Sequence, residues 1–293
     1  MTQTARVQPQ EERIKGASGL SIFVRSWQPA MKARGVVMIV HGFNAHSGYY
    51  QWVADQLTSN GLVVYALDLR GRGQSDGERF YVNSFSEYVS DVESAVALAK
   101  SREPGLPMFV LGHSAGGVVS CLYVLEHQAE LAGLICESFA FELPAPEFAL
   151  AVFKGLSHVA PHAHVLKLSN KDFSRDPEVV KAMDDDPLIA HETQPTMTLA
   201  EMVRSDEQLT QKFPQITLPV LILHGTADKA ARPAGSQLFF ENAGSTDKTL
   251  KLYEGSFHDP LNDLDKQAVM TDIQGWIAAR ISTASELKTS AGH

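Results

Sequence analysis

The feature that most constrains this chain is an apolar, β-branched run that returns at intervals, each time followed by a segment of helical spacing. GVVMIVHGF (35–43) is the clearest case. LVVYALDL (62–69), PMFVLGHS (107–114), LAGLICES (131–138) and LPVLILHGTAD (218–228) repeat it, and KTLKLYEG (248–255) is a more polar version. A strand that is apolar at every position, not at alternate ones, is buried on both faces. The intervening segments 49–61, 85–101, 116–128, 235–244 and 266–281 carry apolar residues at helical spacing, as with Phe85, Tyr88, Val89, Val92 and Val96. Alternation of the two types predicts an α/β fold: a mostly parallel central sheet with helices on both faces. LSIFVRSWQP (20–29) alternates and stops at Pro29, which predicts the edge strand of an opening hairpin.

Between Ser138 and Leu218 the strand pattern lapses for about 80 residues. A structureless loop of that length does not fit a compact domain, so this stretch is expected to be an inserted helical cap. The expected organisation is an N-terminal tail (1–16), a core formed by 17–137 and 211–282, a cap (138–210) and a C-terminal tail (283–293). FAFELPAPEFALAVFKGL, at the start of the insertion, holds Phe139, Phe141, Phe148 and Phe153. These are candidates either to line an acyl-binding pocket or to form the core side of a cap helix.

The chemistry is concentrated at the ends of the apolar runs. Gly112-His113-Ser114-Ala115-Gly116 fits G-x-S-x-G with a strand before it and a helix after it. In that motif a sharp turn presents the serine hydroxyl at the carboxyl edge of the sheet. A serine needs a base, and the base needs an orienting acid. Asp228 ends the run 218–228, and His258 follows the next strand in LYEGSFHDP; after Asp228 only His258 and His293 remain. Ser114, Asp228 and His258 are therefore the candidate triad. The Ala115 N–H at the helix start and the Phe43 N–H after the run 35–40 are the candidate oxyanion donors.

Other polar residues receive plainer readings. Asp68 is expected to pair with Arg70 or Arg72, and Asp184, Asp185 and Asp186 to form a solvated run. His113 and His224 are expected to be packed residues, and Asp259 to point away from the triad. His162 and His164 in PHAHV lack a Cys or acidic partner at ligand spacing, so they are read as surface residues and no metal site is expected. RGRGQSDGER (70–79) lacks the residues of a phosphate loop or dinucleotide fingerprint, so no cofactor is expected.

Composition sets the boundaries. A formal net charge of −9 gives no footprint for nucleic acid or anionic membrane surfaces. No apolar stretch near the N-terminus is long enough for a secretory core or a bilayer span, so no stable membrane insertion is expected. The two cysteines, Cys121 and Cys136, lie in apolar segments. Free buried thiols and a cytoplasmic home are expected.

HGFNAHSGYY, LDLRGRGQSDGER, LGHSAGG, LHGTADKAARP and GSFHDPLND…VMTDIQGWI together resemble the α/β-hydrolases. Specifically they resemble the monoacylglycerol lipase and lysophospholipase group, also called serine-aminopeptidase-like hydrolases. The resemblance runs from about residue 17 to 281 and leaves the cap unconstrained. It implies the α/β-hydrolase fold, the triad Ser114, Asp228 and His258, and backbone oxyanion donors at Phe43 and Ala115. It also implies a small-molecule ester substrate with an apolar acyl group. Four features depart from the group's pattern: Ala45 stands for a frequent Glu, Tyr49 for Arg, Ala115 for Met, and Asp-Pro-Leu follows His258 in place of a His-containing run. These departures give weight to a general short-acyl carboxylesterase, with an amide or peptide hydrolase as a further alternative. A dehalogenase or epoxide hydrolase would carry Asp at position 114, and a non-catalytic module would commonly lack a triad member.

Overall fold

The computed structural model describes residues 6–141 and 147–290, with only the backbone course given for 147–150 and 283–290. Eight strands form one sheet: β1 (Gln10–Lys15), β2 (Ser21–Trp27), β3 (Gly35–Val40), β4 (Leu62–Leu67), β5 (Met108–His113), β6 (Gly133–Glu137), β9 (Val220–Gly225) and β10 (Lys248–Tyr253). Their order is β1-β2-β4-β3-β5-β6-β9-β10. The pairs β1–β2 and β2–β4 are antiparallel, and the remaining pairs are parallel.

The apolar runs serve two cores at once. Along β3, Val36, Met38 and Val40 enter one layer with Val92 of α2 (Phe85–Arg102) and Val118 of α3 (Ala115–His127). Val37 and Ile39 enter the other with Leu57 of α1 (Gln51–Ser59) and Ile273 of α8 (Lys266–Ser290). Because neighbouring side chains on a strand point to opposite faces, both parities must be apolar. The helix α7 (Pro233–Asn242) adds Phe239 to the first layer.

Strand order also locates the site. From β3 the chain crosses to β4 on one side, and from β5 it crosses to β6 on the other. The loops leaving β3 and β5 therefore part at the carboxyl edge, and such a switch point leaves a crevice between them. His41–Phe43 leave one strand there and Ser114 the other.

Between β6 and β9 the chain forms α4 (Glu147–Leu156), α5 (Pro177–Asp185) and α6 (Thr196–Lys212), with a small ribbon of β7 (His164–Leu166) and β8 (Gln194–Pro195). Asp176 caps α5 through the Glu178 N–H, with Pro177 in the first turn. Met202 and Leu209 of α6 join the core layer that contains α2 and α3.

Three boundaries differ from expectation. Residues 10–15 form the edge strand β1, and β2 is an interior strand of the sheet. β1 reads as a polar tail because QEERIK is half exposed and charged, which suits an edge that must not recruit another strand. Helix α6 runs through the expected boundary at 210, and α8 continues to Ser290.

Candidate active site

Ser114 sits at φ 55° and ψ −123° between β5 and α3. For a non-glycine residue this is a strained conformation, and its surroundings hold it in place. The Ser114 N–H donates to the Glu137 carbonyl at 2.9 Å, and its own carbonyl accepts from Gly117 at 2.9 Å. The small neighbours are required by close approach. A Cβ on Gly116 would lie 2.1 Å from the Val40 carbonyl oxygen, and one on Gly42 would lie 2.7 Å from the Ser114 Cβ. The loop after β3 therefore lies directly against the serine.

The three residues expected to act together are brought together. His258 Nε2 accepts from the Ser114 hydroxyl at 2.8 Å, and its Nδ1 donates to Asp228 Oδ2 at 2.7 Å. The Phe173 and His258 rings meet edge to face, with centroids 4.9 Å apart and planes at 87°. Asp228 Oδ1 accepts the N–H groups of Ala230 and Ala231, at 2.8 and 3.0 Å. Oδ2 also accepts from His224 Nε2 at 2.9 Å, while His224 Nδ1 meets the Ser236 hydroxyl at 2.7 Å. Burial alone would push the Asp228 carboxyl up. The charge and hydrogen bonds of His258 and His224 outweigh it and hold the group well below the usual carboxylate range. Asp228 is thus a fixed anion, able to steady a proton arriving on His258.

On the other flank of Ser114 lies the loop His41–Asn44. Leu69 N–H donates to His41 Nε2 at 3.0 Å, so Nδ1 carries the proton and donates to the Gly42 carbonyl at 2.7 Å. Burial lowers this imidazole to about 4, which keeps it neutral. Asn44 N–H donates to Glu192 Oε1 at 2.9 Å. Glu192 comes from the insertion and forms a buried ion pair with Arg72, whose guanidinium lies 4.2 Å from the Phe43 ring centroid. Arg72 also donates to Gln194 at 2.8 Å and to the Tyr88 hydroxyl at 3.3 Å. Among the described residues, neither the Phe43 nor the Ala115 N–H meets an acceptor. A cavity of about 480 Å³ adjoins this loop, lined by Asn44, Glu192, Leu168, Asn170 and Met183 among others; Ser114 is not on its wall.

Several other side chains find unexpected partners. Asp68 pairs with neither Arg70 nor Arg72. It accepts from the Ser47 N–H at 2.7 Å and the Gln74 N–H at 2.8 Å, because the loops after β3 and β4 both close over its carboxylate. Arg70 makes a two-pronged pair with Asp91 at 2.6 and 2.8 Å. Asp186 is not a solvated charge: it accepts from His46 and the Tyr49 hydroxyl, both at 2.8 Å. Tyr49, one of the departures from the family pattern, is thereby committed to the insertion. Phe139 and Phe141 are buried with Phe213 and Phe239 in an aromatic cluster whose centroids lie 4.7 to 6.2 Å apart. That packing accounts for their burial without a ligand. Phe153 is half-buried on α4, and the Phe148 side chain lies outside the described residues. His162 and His164 are exposed, and Cys121 and Cys136 are free thiols with Sγ atoms 3.8 Å apart.

The sequence reading takes His224 only as a packed residue and misses its bond to Asp228, and Phe173 and Glu192 escape it altogether. His224 had one usable signal, its position four residues before Asp228 in LHGTAD. Phe173 and Glu192 had none, because their partners lie 85 and 148 positions away.

Comparison with known proteins places this geometry in context. Residues 31–265 match the family described as serine aminopeptidase, S33. The monoacylglycerol lipase of Mycolicibacterium smegmatis is 34% identical over 273 residues, covering 92% of this chain and 98% of that protein. The monoglyceride lipase of Homo sapiens is 33% identical, covering 92% and 91%. Among solved structures, the monoacylglycerol lipase of Paleococcus ferrophilus superposes with a TM-score of 0.78 at 29% identity, over 88% of this chain and 99% of that one.

Proposed function

The chain belongs to the serine aminopeptidase S33 family, and from that premise we propose that it is a serine hydrolase of carboxylic esters whose substrates are monoacylglycerols. The observation that carries the reading is the unbroken hydrogen-bonded line from Asp228 through His258 to Ser114. Relatives in organisms as distant as a mycobacterium and man bear the name of that activity.

In the proposed reaction the Ser114 oxygen attacks the ester carbonyl carbon while His258 Nε2 takes the hydroxyl proton. The negative charge that forms on the carbonyl oxygen is received by the N–H groups of Phe43 and Ala115. The tetrahedral intermediate collapses as His258 returns the proton to the departing glycerol oxygen, leaving the acyl group on Ser114. Water, deprotonated by His258, then attacks the acyl-serine and releases the fatty acid. Asp228 stays ionised throughout and holds the imidazole with Nδ1 protonated, so that Nε2 is free to work as a base. Every proton in this cycle is carried by His258, so the cycle calls for neither a metal nor an organic cofactor.

The acyl chain is assigned to the side of α4, with Phe153 as its proposed contact; the Phe148 side chain lies outside the described residues. Phe139 and Phe141 are assigned to the core. A general short-acyl carboxylesterase is favoured by one observation: the Tyr49 hydroxyl is bound to Asp186, which leaves one fewer polar group for a glycerol head. A cytoplasmic home is supported by the two free thiols. No helix among the described residues is long and apolar enough to cross a membrane.

The test has two parts. Ser114→Ala should lower hydrolysis of p-nitrophenyl butyrate by about 10⁴- to 10⁶-fold with the fold intact by circular dichroism. Retained turnover overturns the mechanism. A series of esters from acetate to palmitate, with matched monoacylglycerols and amides, then decides the substrate. A long-chain monoacylglycerol optimum supports the lipase reading, and a sharp short-acyl optimum replaces it with the esterase.

A further inference from the structure

Glu137 ends β6 fully buried and stands outside the line of Asp228, His258 and Ser114. It nevertheless touches both ends of the machinery. Its main-chain carbonyl accepts the Ser114 N–H, and its side-chain Oε1 accepts the Leu261 N–H at 2.8 Å, three residues past His258. His113, the residue before the nucleophile, reaches the same loop from β5. Its Nε2 lies 3.2 Å from the His258 carbonyl oxygen. A carbonyl only accepts, so Nε2 carries the proton and Nδ1 presents a lone pair. That Nδ1 is buried without a partner among the described residues, and so is Glu137 Oε2.

One ring nitrogen of His113, one carboxyl oxygen of Glu137 and one of Asp259 lie within 4.8 Å of one another. Asp259 already has a donor on each of its oxygens. Its Oδ1 accepts the Asn262 N–H at 3.2 Å and its Oδ2 accepts the Asn262 side-chain amide at 2.9 Å, so both oxygens are engaged as acceptors. An ionised Glu137, fully buried at the end of β6, would need a cation. Among the described residues, the titratable groups found near Glu137 supply none: they include His113 of β5, Tyr50 before α1, Tyr253 of β10 and Asp259 itself. Burial keeps the His113 imidazole low and pushes the Tyr50 and Tyr253 hydroxyls high. The His258 ring points instead to Asp228 and Ser114. Burial, and then the charge of Asp259, push the Glu137 carboxyl well above the usual range. A neutral Glu137 keeps Oε1 as the acceptor for the Leu261 N–H and places no charge on Oε2, which meets no donor.

We infer that Glu137 is a positioning residue that works as a neutral carboxylic acid, joining the nucleophile elbow to the His258 loop through the N–H groups of Ser114 and Leu261. The inference rests on the serine-hydrolase reading for its consequence in catalysis, but not for the protonation state. It assigns Glu137 a hydrogen-bonding task that an amide performs equally and a hydrocarbon does not.

The experiment compares wild type, Glu137→Gln and Glu137→Leu. The first readout is thermal unfolding from about pH 5 to about pH 8. An acid neutral in the fold and ionised when unfolded, with an ordinary pKa near 4.3, costs stability progressively as pH rises between those two values. Wild type should therefore lose Tm relative to Glu137→Gln as pH increases. Parallel curves overturn the neutral acid. The second readout is the rate of Ser114 labelling by a fluorophosphonate at saturating probe. Glu137→Gln should keep most of the wild-type rate. Glu137→Leu should fall on the order of 10- to 100-fold in the labelling rate constant, with little change in half-saturating probe concentration. A Gln variant as slow as the Leu variant, or a Leu variant as fast as wild type, overturns the positioning role. If Glu137→Leu does not fold, wild type against Glu137→Gln decides the matter in both readouts. If wild type itself resists the probe, the hydrolase reading fails, while the unfolding curves still report on Glu137.

Discussion

The two flanks of Ser114 are held by different parts of the chain. On the histidine flank the polar atoms come from the sheet edge: Asp228 and His224 at the end of β9, and His113 and Glu137 at the ends of β5 and β6. The insertion adds an apolar wall, Phe173, and two main-chain carbonyls that accept the His258 and Asp259 N–H groups. On the other flank the insertion supplies the charge itself. Glu192 accepts the Asn44 N–H next to Phe43, and neutralises Arg72 beneath the Phe43 ring. The proposed base is thus fixed mainly by the core, and the proposed oxyanion loop by the core and insertion together. A change in the insertion should reach the oxyanion flank while leaving the acid–base flank intact.

The largest effect that tests this division is on the core flank. Asp228→Asn keeps the shape but offers an amide where His258 needs an anion, and it favours the wrong imidazole tautomer. It should lower kcat by about 10⁴-fold with little change in KM. A loss below about tenfold would mean that His224 or another group holds the imidazole. Next comes Glu192→Gln, on the insertion side. It leaves the Arg72 guanidinium buried without its counter-charge, which should cost about 3–5 kcal/mol of stability. Where the variant still folds, kcat should fall on the order of 10- to 100-fold as the loop around Phe43 shifts. Its pH profile should stay superimposable on wild type after scaling, because Asp228 and His258 are untouched. A displaced profile would show that the two flanks are not separately held.

The same division explains what could be read from the sequence. Ser114, Asp228 and His258 are legible because each follows an apolar run, and a parallel sheet brings the carboxyl ends of its strands to one edge. Chain order then leaves only His258 and His293 after the acid. β1 is not legible, since an edge strand is held by backbone hydrogen bonds and QEERIK carries no apolar pattern to betray it. The partners of the insertion are illegible for another reason. A run such as DDDP shows three charges but not what the fold sets opposite them. Asp185 meets exposed Lys181, while Asp186 one position on is turned inward to His46 and Tyr49. The partners of Asp68 are illegible on the same grounds: the nearest arginines in sequence pair instead with Asp91 and Glu192.

Asp186 provides the smallest and most selective test. Gly48 N–H donates to His46 Nδ1 at 3.0 Å, so Nε2 is the protonated nitrogen that donates to Asp186, alongside the Tyr49 hydroxyl. Burial alone would raise the Asp186 carboxyl, but these bonds, with the Leu188 N–H, hold it below its ordinary value. A carboxyl depressed in the fold stabilises it above the unfolded pKa, near 3.9, and the contribution drains away as pH falls through the folded value. Asp186→Asn should therefore cost about 1–2 kcal/mol at neutral pH and nothing at the acid end, where wild type has lost the same contribution. Hydrogen exchange should quicken across 177–195 and around His46, while amides of β5 and β9 stay protected. Since neither Glu192 nor Asp228 is touched, turnover at saturating ester should be nearly preserved. A fall in kcat as deep as that of Glu192→Gln would show that the whole insertion, and not Glu192 alone, holds the oxyanion flank.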